Sequence, residues 1–405
     1  MEDIELFEKK EKCCACSACK NVCPRGAIEM VEDEKGFLYP KIQEDKCIHC
    51  GLCKKACAYQ KESVGNEPKE VYAAAAKEDD ILVAAASGGI FSVLANRILN
   101  AGGSVYGVSL EKDGKYLIPK HIRITNSRDL YKLQGSKYIQ SDIDFIFCEI
   151  KKDLENDQKV LFSGTPCQVD GLCSFLGKKY DNLLTVDIIC HGVPNAKMYR
   201  DYIDVLEKKY NANITGYKFR DKTRGQGMTS KIEYNKNGKT YIKLLPGKVT
   251  SYFGLFLRQE IYRENCYSCK YATKNRFADI TIGDYWGVYQ EHAAELQHSN
   301  MTNSKGISCV LLNTEVGRQA FTEISEDLEY IKSDFEKVAK HNEQLRTPCK
   351  YPINRDKLLD VYSNHGYQEV ERMFNKTIRL KKCYYWLENV APKGLKRKIK
   401  LIIKK

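Results

Sequence analysis

From residue 71 onward, short apolar runs alternate with longer segments of helical periodicity. Val71–Ala76 is a compact apolar run of strand character. Ser87-Gly88-Gly89 then opens a helical pattern that runs to about Asn100 and is stopped by Gly102-Gly103. Ser104–Leu110 predicts the next strand. Lys159–Phe162 predicts another, which turns through Ser163-Gly164-Thr165-Pro166 into a helix from Cys167. Leu183–Ile189 reads as a strand, followed by the Cys190-His191-Gly192-Val193-Pro194 turn and a helix to about Tyr210. Lys231–Tyr234 and Thr240–Leu245 alternate as a hairpin across Asn235-Lys236-Asn237-Gly238. Strands alternating with helices, plus one hairpin, predict an α/β region with a mixed sheet.

The first sixty residues follow a cysteine pattern instead. Of 18 cysteines, nine fall between residues 13 and 57. They make two runs of one spacing: Cys13-x2-Cys16-x2-Cys19-x3-Cys23-Pro24 and Cys47-x2-Cys50-x2-Cys53-x3-Cys57-Ala58. A cubane cluster needs four convergent thiolates. A C-x2-C-x2-C loop supplies three from one turn of backbone, and the fourth cysteine of each run ligates the other cluster. The spacing therefore predicts two [4Fe–4S] clusters, one on Cys13, Cys16, Cys19 and Cys57, the other on Cys47, Cys50, Cys53 and Cys23. Zinc sites use paired C-x2-C elements rather than this arrangement. Cys14 is an additional thiol and reads as a bystander.

The organisation expected is an α+β ferredoxin-like two-cluster module at 1–60 and a polar linker at 61–70. A larger α/β domain with a mixed sheet follows at 71–350, in two parts that divide near residue 150. A helical basic C-terminal region occupies 351–405. Free thiols suited to metal binding imply a reducing compartment, the cytoplasm. The acidic start lacks an apolar signal segment, and Ile81–Leu99, the longest apolar stretch, is interrupted by Ser87-Gly88-Gly89, Asn96 and Arg97. The net charge of +12 is mostly one tail, since residues 376–405 hold eleven Lys/Arg and one Glu. The most basic stretch of it, Leu395–Lys405, has no interleaved aromatic residues, which argues against nucleic acid. Its alternating Lys and Ile/Leu suit a solvated helix face or a peripheral membrane contact.

Further segments carry chemistry. Ser87-Gly88-Gly89 offers amides that can hold a phosphate, although a plain turn and N-cap has the same sequence. Ser136-Lys137-Tyr138 joins a hydroxyl, a cation and an aromatic face. Cys167 stands on a first helical turn, where the helix dipole favours a thiolate. It can be a nucleophile, a metal ligand or a buried structural cysteine. Cys190, beside His191, and Cys266-x2-Cys269 lie at strand ends or in loops, so four distant cysteines could converge on a third cluster. Asp284 and His191 could relay protons or serve as structural hydrogen-bonding groups; no catalytic acid/base pair stands out.

Taken in order, Ser87-Gly88-Gly89-Ile90-Phe91-Ser92, Gly135-Ser136-Lys137-Tyr138 and Gly164-Thr165-Pro166-Cys167-Gln168 resemble the coenzyme F-420 hydrogenase/dehydrogenase beta-subunit family. So do Asp187–Pro194, Phe219-Arg220-Asp221-Lys222, Cys266-Tyr267-Ser268-Cys269 and Ala278–Gly287. The form resembled carries an N-terminal two-cluster ferredoxin domain. The resemblance implies FAD contacted by Ser87, Gly88, Gly89, Ser136, Lys137 and Tyr138. It also implies a third [4Fe–4S] cluster on Cys167, Cys190, Cys266 and Cys269. The function expected is an iron–sulfur flavoprotein oxidoreductase acting on a small substrate or deazaflavin-type coenzyme. The alternative is a non-autonomous electron-transfer subunit that docks on a larger reductase or a surface-polysaccharide biosynthesis partner.

Overall fold

The computed structural model describes residues 5–62, 64–223, 225–379 and 382; most of the basic tail expected to contact a membrane surface lies outside them. The strands are β1 Ile28–Glu32, β2 Leu38–Ile42, β3 Glu70–Ala76, β4 Ser104–Asp113, β5 Tyr116–Ile124, β6 Val160–Gly164 and β7 Leu183–Ile188. They continue with β8 Asn213–Lys218, β9 Thr229–Lys236, β10 Lys239–Pro246, β11 Ile280–Asp284, β12 Ser308–Leu312 and β13 Leu328–Ser333.

Among the described residues, β1 and β2 form an antiparallel pair, β10-β9-β8 form a three-stranded sheet, and the largest sheet runs β13-β3-β12-β11-β7-β6-β4-β5. Its centre, β4, β6, β7 and β11, is parallel. Antiparallel pairs flank it: β5 on β4, and β12, β3 and β13 beyond β11. The mixed sheet expected from the alternating pattern is therefore present. The strands β5, β12 and β13 had no separate expectation in the sequence. β5 and β13 are the two edges and β12 is held between β3 and β11, positions that emerge only from the register.

Parallel centre strands must be buried on both faces. β6 and β7 meet this with Val160, Leu161, Phe162, Leu184 and Val186. On one side the Ile90–Asn100 helix presses Ile90, Val93, Leu94 and Leu99 onto the sheet. On the other, the Ile146–Glu155 and Pro166–Leu176 helices bring Phe147, Ile150, Val169 and Leu172. The alanines of β3 leave room for Gly88, where a Cβ would lie 2.4 Å from the Ala74 carbonyl oxygen.

The predicted hairpin is β9–β10, closed at Asn237-Gly238 with φ of 52° and 74°. Two positive φ values in succession are what a tight hairpin turn needs, and they suit Asn-Gly. Helices Arg355–His365 and Tyr367–Thr377 pack Leu359, Tyr362, Tyr367 and Phe374 into an aromatic core with Tyr199, Tyr202 and Tyr252. No helix of the described residues is long and apolar enough to cross a membrane.

Candidate functional site

The carboxyl ends of parallel strands are where open α/β sheets place ligands. Here β6 ends at Thr165-Pro166-Cys167, β7 at Cys190-His191-Gly192 and β11 at Tyr285-Trp286. The Pro166–Leu176 helix starts with a full capping box. Thr165 and Gln168 cap reciprocally, and Pro166 occupies the first turn. Gln168 also donates to Ser141 Oγ (3.1 Å). Ser141 in turn donates to His121 Nδ1 (3.0 Å), and His121 Nε2 donates to the Ser163 carbonyl (3.2 Å). Burial pushes His121 down to about 4, so it is a neutral brace. This network fixes where Cys167 points.

Cys167, Cys190, Cys266 and Cys269 line one small cavity together with Cys14. Burial, followed by the neighbouring Cys266, Cys167 and Cys269, pushes Cys190 well up. Burial likewise raises Cys269 to about 11. Cys167 moves the other way: the hydrogen bond from Cys14 lowers it most, against burial, with help from Thr165 and Arg263. Crowded thiols that oppose one another's ionisation are a donor set that a cationic metal centre would relieve. Among the described residues no three His, Cys, Asp or Glu side chains close on one point to hold a single ion. A mononuclear zinc site, with ligands within about 2.3 Å, does not fit such a ring.

The structure also brings the members of each N-terminal set together. Burial raises Cys19 well above its ordinary value, and Cys16, Cys13 and Cys57 add to it as neighbours. Cys23, Cys47, Cys50 and Cys53 line a separate small cavity. The duplication extends to the backbone. Ala15 and His49, two residues after the first cysteine of each run, have φ of 51° and 50°. Ser17 and Gly51, four residues after it, have 62° and 70°. Left-handed backbone costs a non-glycine residue roughly 1–2 kcal/mol, so three of these four positions hold local strain where the loop folds its thiols inward.

Cys14, read from the sequence as a bystander, is buried with its thiol facing both Cys16 and Cys167. The Pro166–Leu176 helix comes so close that a Cβ on Gly171 would sit 2.9 Å from Cys16 Sγ. The N-terminal module is held there by named contacts. Lys20 pairs with Asp144 (2.6 Å), Asn21 Nδ2 donates to the Asp144 carbonyl (2.7 Å), and Lys270 donates to the Ala58 carbonyl (2.6 Å). Gln140 Nε2 donates to the Cys14 carbonyl (3.3 Å) and Arg263 Nε to that of Cys13 (3.1 Å).

A larger cavity of ≈ 690 Å³ adjoins the thiol ring. That volume lies within the range of small-molecule and cofactor sites. Its walls include Ser87, Gly89, Ser136, Lys137 and Tyr138, which the sequence nominated. Gly88 is not among them: its amide donates to Ser308 Oγ (2.9 Å), and its missing Cβ admits the neighbouring strand. The helix expected at Ser87 begins at Ile90, with Gly89 as a left-handed N-cap. Cys14, Cys167 and Cys190 line both the large cavity and the thiol ring.

Sequence reasoning did not foresee Arg220 as a cavity residue. Its Nη1 pairs with Asp284, its guanidinium lies over Trp286, and its buried Nη2 has no hydrogen-bond partner among the described residues. Asp284 also accepts from Gln226 Nε2 (2.6 Å), which commits both its oxygens. His191 borders both cavities, lowered by burial and raised in part by Asp284 and Glu343. Lys137 donates to the carbonyls of Lys132 (3.0 Å) and Gln134 (2.9 Å). Burial, then the nearby Lys218, pushes its ammonium down to about 7.

The class of protein is that of iron–sulfur proteins: residues 12–61 match the 4Fe-4S dicluster domain. Residues 71–145 match the N-terminal part, and residues 157–337 the C-terminal part, of the coenzyme F420 hydrogenase/dehydrogenase beta subunit. The chain belongs to that family. One subunit of the F(420)H(2) dehydrogenase of Methanosarcina mazei is 23% identical over 353 residues, which is 82% of this chain and 89% of that protein. A chain of the F420-reducing [NiFe] hydrogenase complex from Methanosarcina barkeri, studied by xenon derivatization, has 17% identity and a TM-score of 0.42. It covers 79% of this chain and 94% of its own. At that TM-score no residue assignment follows.

Proposed function

We propose that the chain is an iron–sulfur flavoprotein oxidoreductase. In this reading it passes electrons between two N-terminal [4Fe–4S] clusters, a third cluster on Cys167, Cys190, Cys266 and Cys269, and FAD in the large cavity. The substrate class is a small hydride carrier of the deazaflavin type, the coenzyme named in the family's description. The observation that carries the reading is the shared wall: Cys14, Cys167 and Cys190 border both the thiol ring and the cavity, so a ligand there lies against the thiols. A bound flavin supplies the junction between one-electron and two-electron chemistry. The protein's own part is to hold, orient and tune.

Arg220 and Lys137 are cations on the cavity wall with donors to spare, whereas Lys340, also on the wall, is paired with Glu291 (2.8 Å). Arg220 offers a spare Nη2 beside the Trp286 ring, and Lys137 has one N–H beyond its two carbonyl partners. Both suit the phosphates of a dinucleotide. At the far end of the N-terminal module, Cys50 is exposed beside exposed Ile48 and Leu52. That edge is where a redox partner protein would reach the second cluster.

Anaerobic purification with iron, sulfide and flavin quantitation tests the reading. It expects about twelve irons for three [4Fe–4S] clusters and one flavin per chain. The same sample is then assayed with reduced deazaflavin, NAD(P)H and reduced ferredoxin. Absence of flavin from protein with a full iron complement sinks the flavoprotein reading.

Lys137 adds a pH signature. Its ammonium is lowered to about 7 in the free chain, so below that pH the charge is present and binds an anionic ligand directly. Above it, each binding event takes up a proton, and affinity falls by up to tenfold per pH unit. For the unliganded chain the sign is opposite. An unfolded lysine keeps its proton to higher pH, so stability rises as pH climbs above about 7. FAD titrations of reconstituted protein at several pH values should show this slope in the wild type and a flat, weaker profile in Lys137→Met.

A further inference from the structure

Arg263 is fully buried, yet among the described residues no carboxylate pairs with it. The adjacent Glu264 is taken by Arg355 at 2.7 Å. Arg263 Nε donates to the Cys13 carbonyl (3.1 Å), Nη1 to Gln140 Oε1 (3.3 Å), and the guanidinium lies 4.1 Å from the centre of the Tyr39 ring. Among the described residues its Nη2 has no hydrogen-bond partner. Its own backbone belongs to the other thiol group: the Cys266 amide donates to the Arg263 carbonyl (3.1 Å), and the Arg263 amide donates to Val193 (3.0 Å). Gln140 completes the link, since it accepts from Arg263 and donates to Cys14.

A buried guanidinium that answers to no acid is expensive; in practice buried charges are paired. A cubane on four thiolates carries net negative charge, and reduction adds one more. Net charge and hydrogen bonding around the sulfurs set its potential. Two such anions flanking Arg263 would supply the missing counter-charge.

We propose that Arg263 is the shared counter-cation of the Cys13/Cys16/Cys19/Cys57 cluster and the Cys167/Cys190/Cys266/Cys269 cluster, and holds both at higher reduction potential than they would otherwise have. The proposal rests on the reading that both sets hold clusters. Arg263 is a positioning and tuning residue; it ligates nothing. None of its contacts reaches Cys23, Cys47, Cys50 or Cys53, so the second N-terminal cluster serves as an internal control.

The experiment is iron quantitation followed by EPR-monitored redox titration of the full chain, as wild type, Arg263→Gln and Arg263→Lys. Wild-type protein with fewer than about twelve irons overturns the underlying three-cluster reading, before either variant is considered. With the wild type loaded, Arg263→Gln should shift two of the three midpoint potentials to more negative values and leave the third in place. Arg263→Lys, which keeps the charge, should stay near wild type. Loss of iron from Arg263→Gln with full loading of Arg263→Lys also supports the proposal, because charge then decides assembly. Fully loaded Arg263→Gln with unmoved potentials overturns it. So does an Arg263→Lys protein shifted as far as Arg263→Gln, or loss of iron from both variants.

Discussion

Anaerobically purified Cys167→Ala should carry about eight irons per chain in place of about twelve, the loss of one [4Fe–4S] cluster of three. The expectation follows from where Cys167 sits. Its helix is capped by Thr165, Pro166 and Gln168, so the backbone should stay in place when the thiol is removed. The N-terminal sets have their own cysteines and their own loops, so their EPR signals should persist. Cys190→Ala, Cys266→Ala and Cys269→Ala should lose the same four irons, since each lines the same ring. Flavin should remain in all four variants, because Arg220, Lys137 and Ser136 are untouched. A Cys167→Ala protein with its full iron content would falsify the third-cluster assignment. Cys14 bears on that outcome: it faces Cys167 across the ring, and the Cys14→Ala/Cys167→Ala double variant tests whether it stands in as a ligand.

The largest stability effect is expected at Asp187 and Arg276, an ion pair at 3.0 Å with side chains 0% and 2% exposed. Arg276 also donates to the carbonyls of Tyr271 (3.0 Å) and Ile188 (3.1 Å), and its Nε donates to Thr281 Oγ1 (3.2 Å). It therefore ties the loop after Cys269 to the end of β7, next to Cys190. Breaking one side of such a pair leaves an uncompensated buried charge and costs about 3–5 kcal/mol. Asp187→Leu and Arg276→Met should each lower the urea midpoint strongly at matched cofactor loading. The double variant should recover much of the loss, because removing both charges leaves no uncompensated buried charge. A double variant weaker than either single one would show that the pair's hydrogen bonds, rather than its charge balance, hold the loop.

The two parts of the candidate site differ in how much of them a reader of the sequence could see. The N-terminal sets were legible because their geometry is local. Cys13 to Cys19 and Cys47 to Cys53 each span one backbone turn, and the fourth ligands follow from the duplication. The left-handed φ at Ala15, Ser17 and His49 was not legible. Alanine, serine and histidine give no glycine-like signal, and the loop imposes the conformation on them. The parallel strands β4, β6 and β7 showed as apolar runs between helices. The edge strands did not, because an antiparallel edge is defined by its partner.

Gly88 illustrates the limit from the other side. Its sequence context suits phosphate binding, yet its amide is spent on Ser308, and its lack of a Cβ serves the packing of β3 and β12. Cys14 looked superfluous beside a complete ligand set, since only the approach of the Pro166–Leu176 helix gives its thiol a second neighbour in Cys167. Arg220 stood in the Phe219-Arg220-Asp221-Lys222 segment, but nothing there pointed to a cavity, and Arg263 offered no signal at all. An isolated arginine reads as surface, and only burial without an acid partner makes it informative.

By itself, the sequence determined what depends on neighbours along the chain: the two cysteine runs, the capped turn that places Cys167 on a helix, the strand–helix alternation and the Asn-Gly hairpin. The tertiary structure decided what depends on neighbours in space. It brought Cys167, Cys190, Cys266 and Cys269 around one cavity, set a larger cavity against them, and left Arg263 buried between two groups of thiols. The physical reason is range. Spacing and capping act over a few residues, whereas convergence and charge balance are set by strand order and helix packing across more than a hundred.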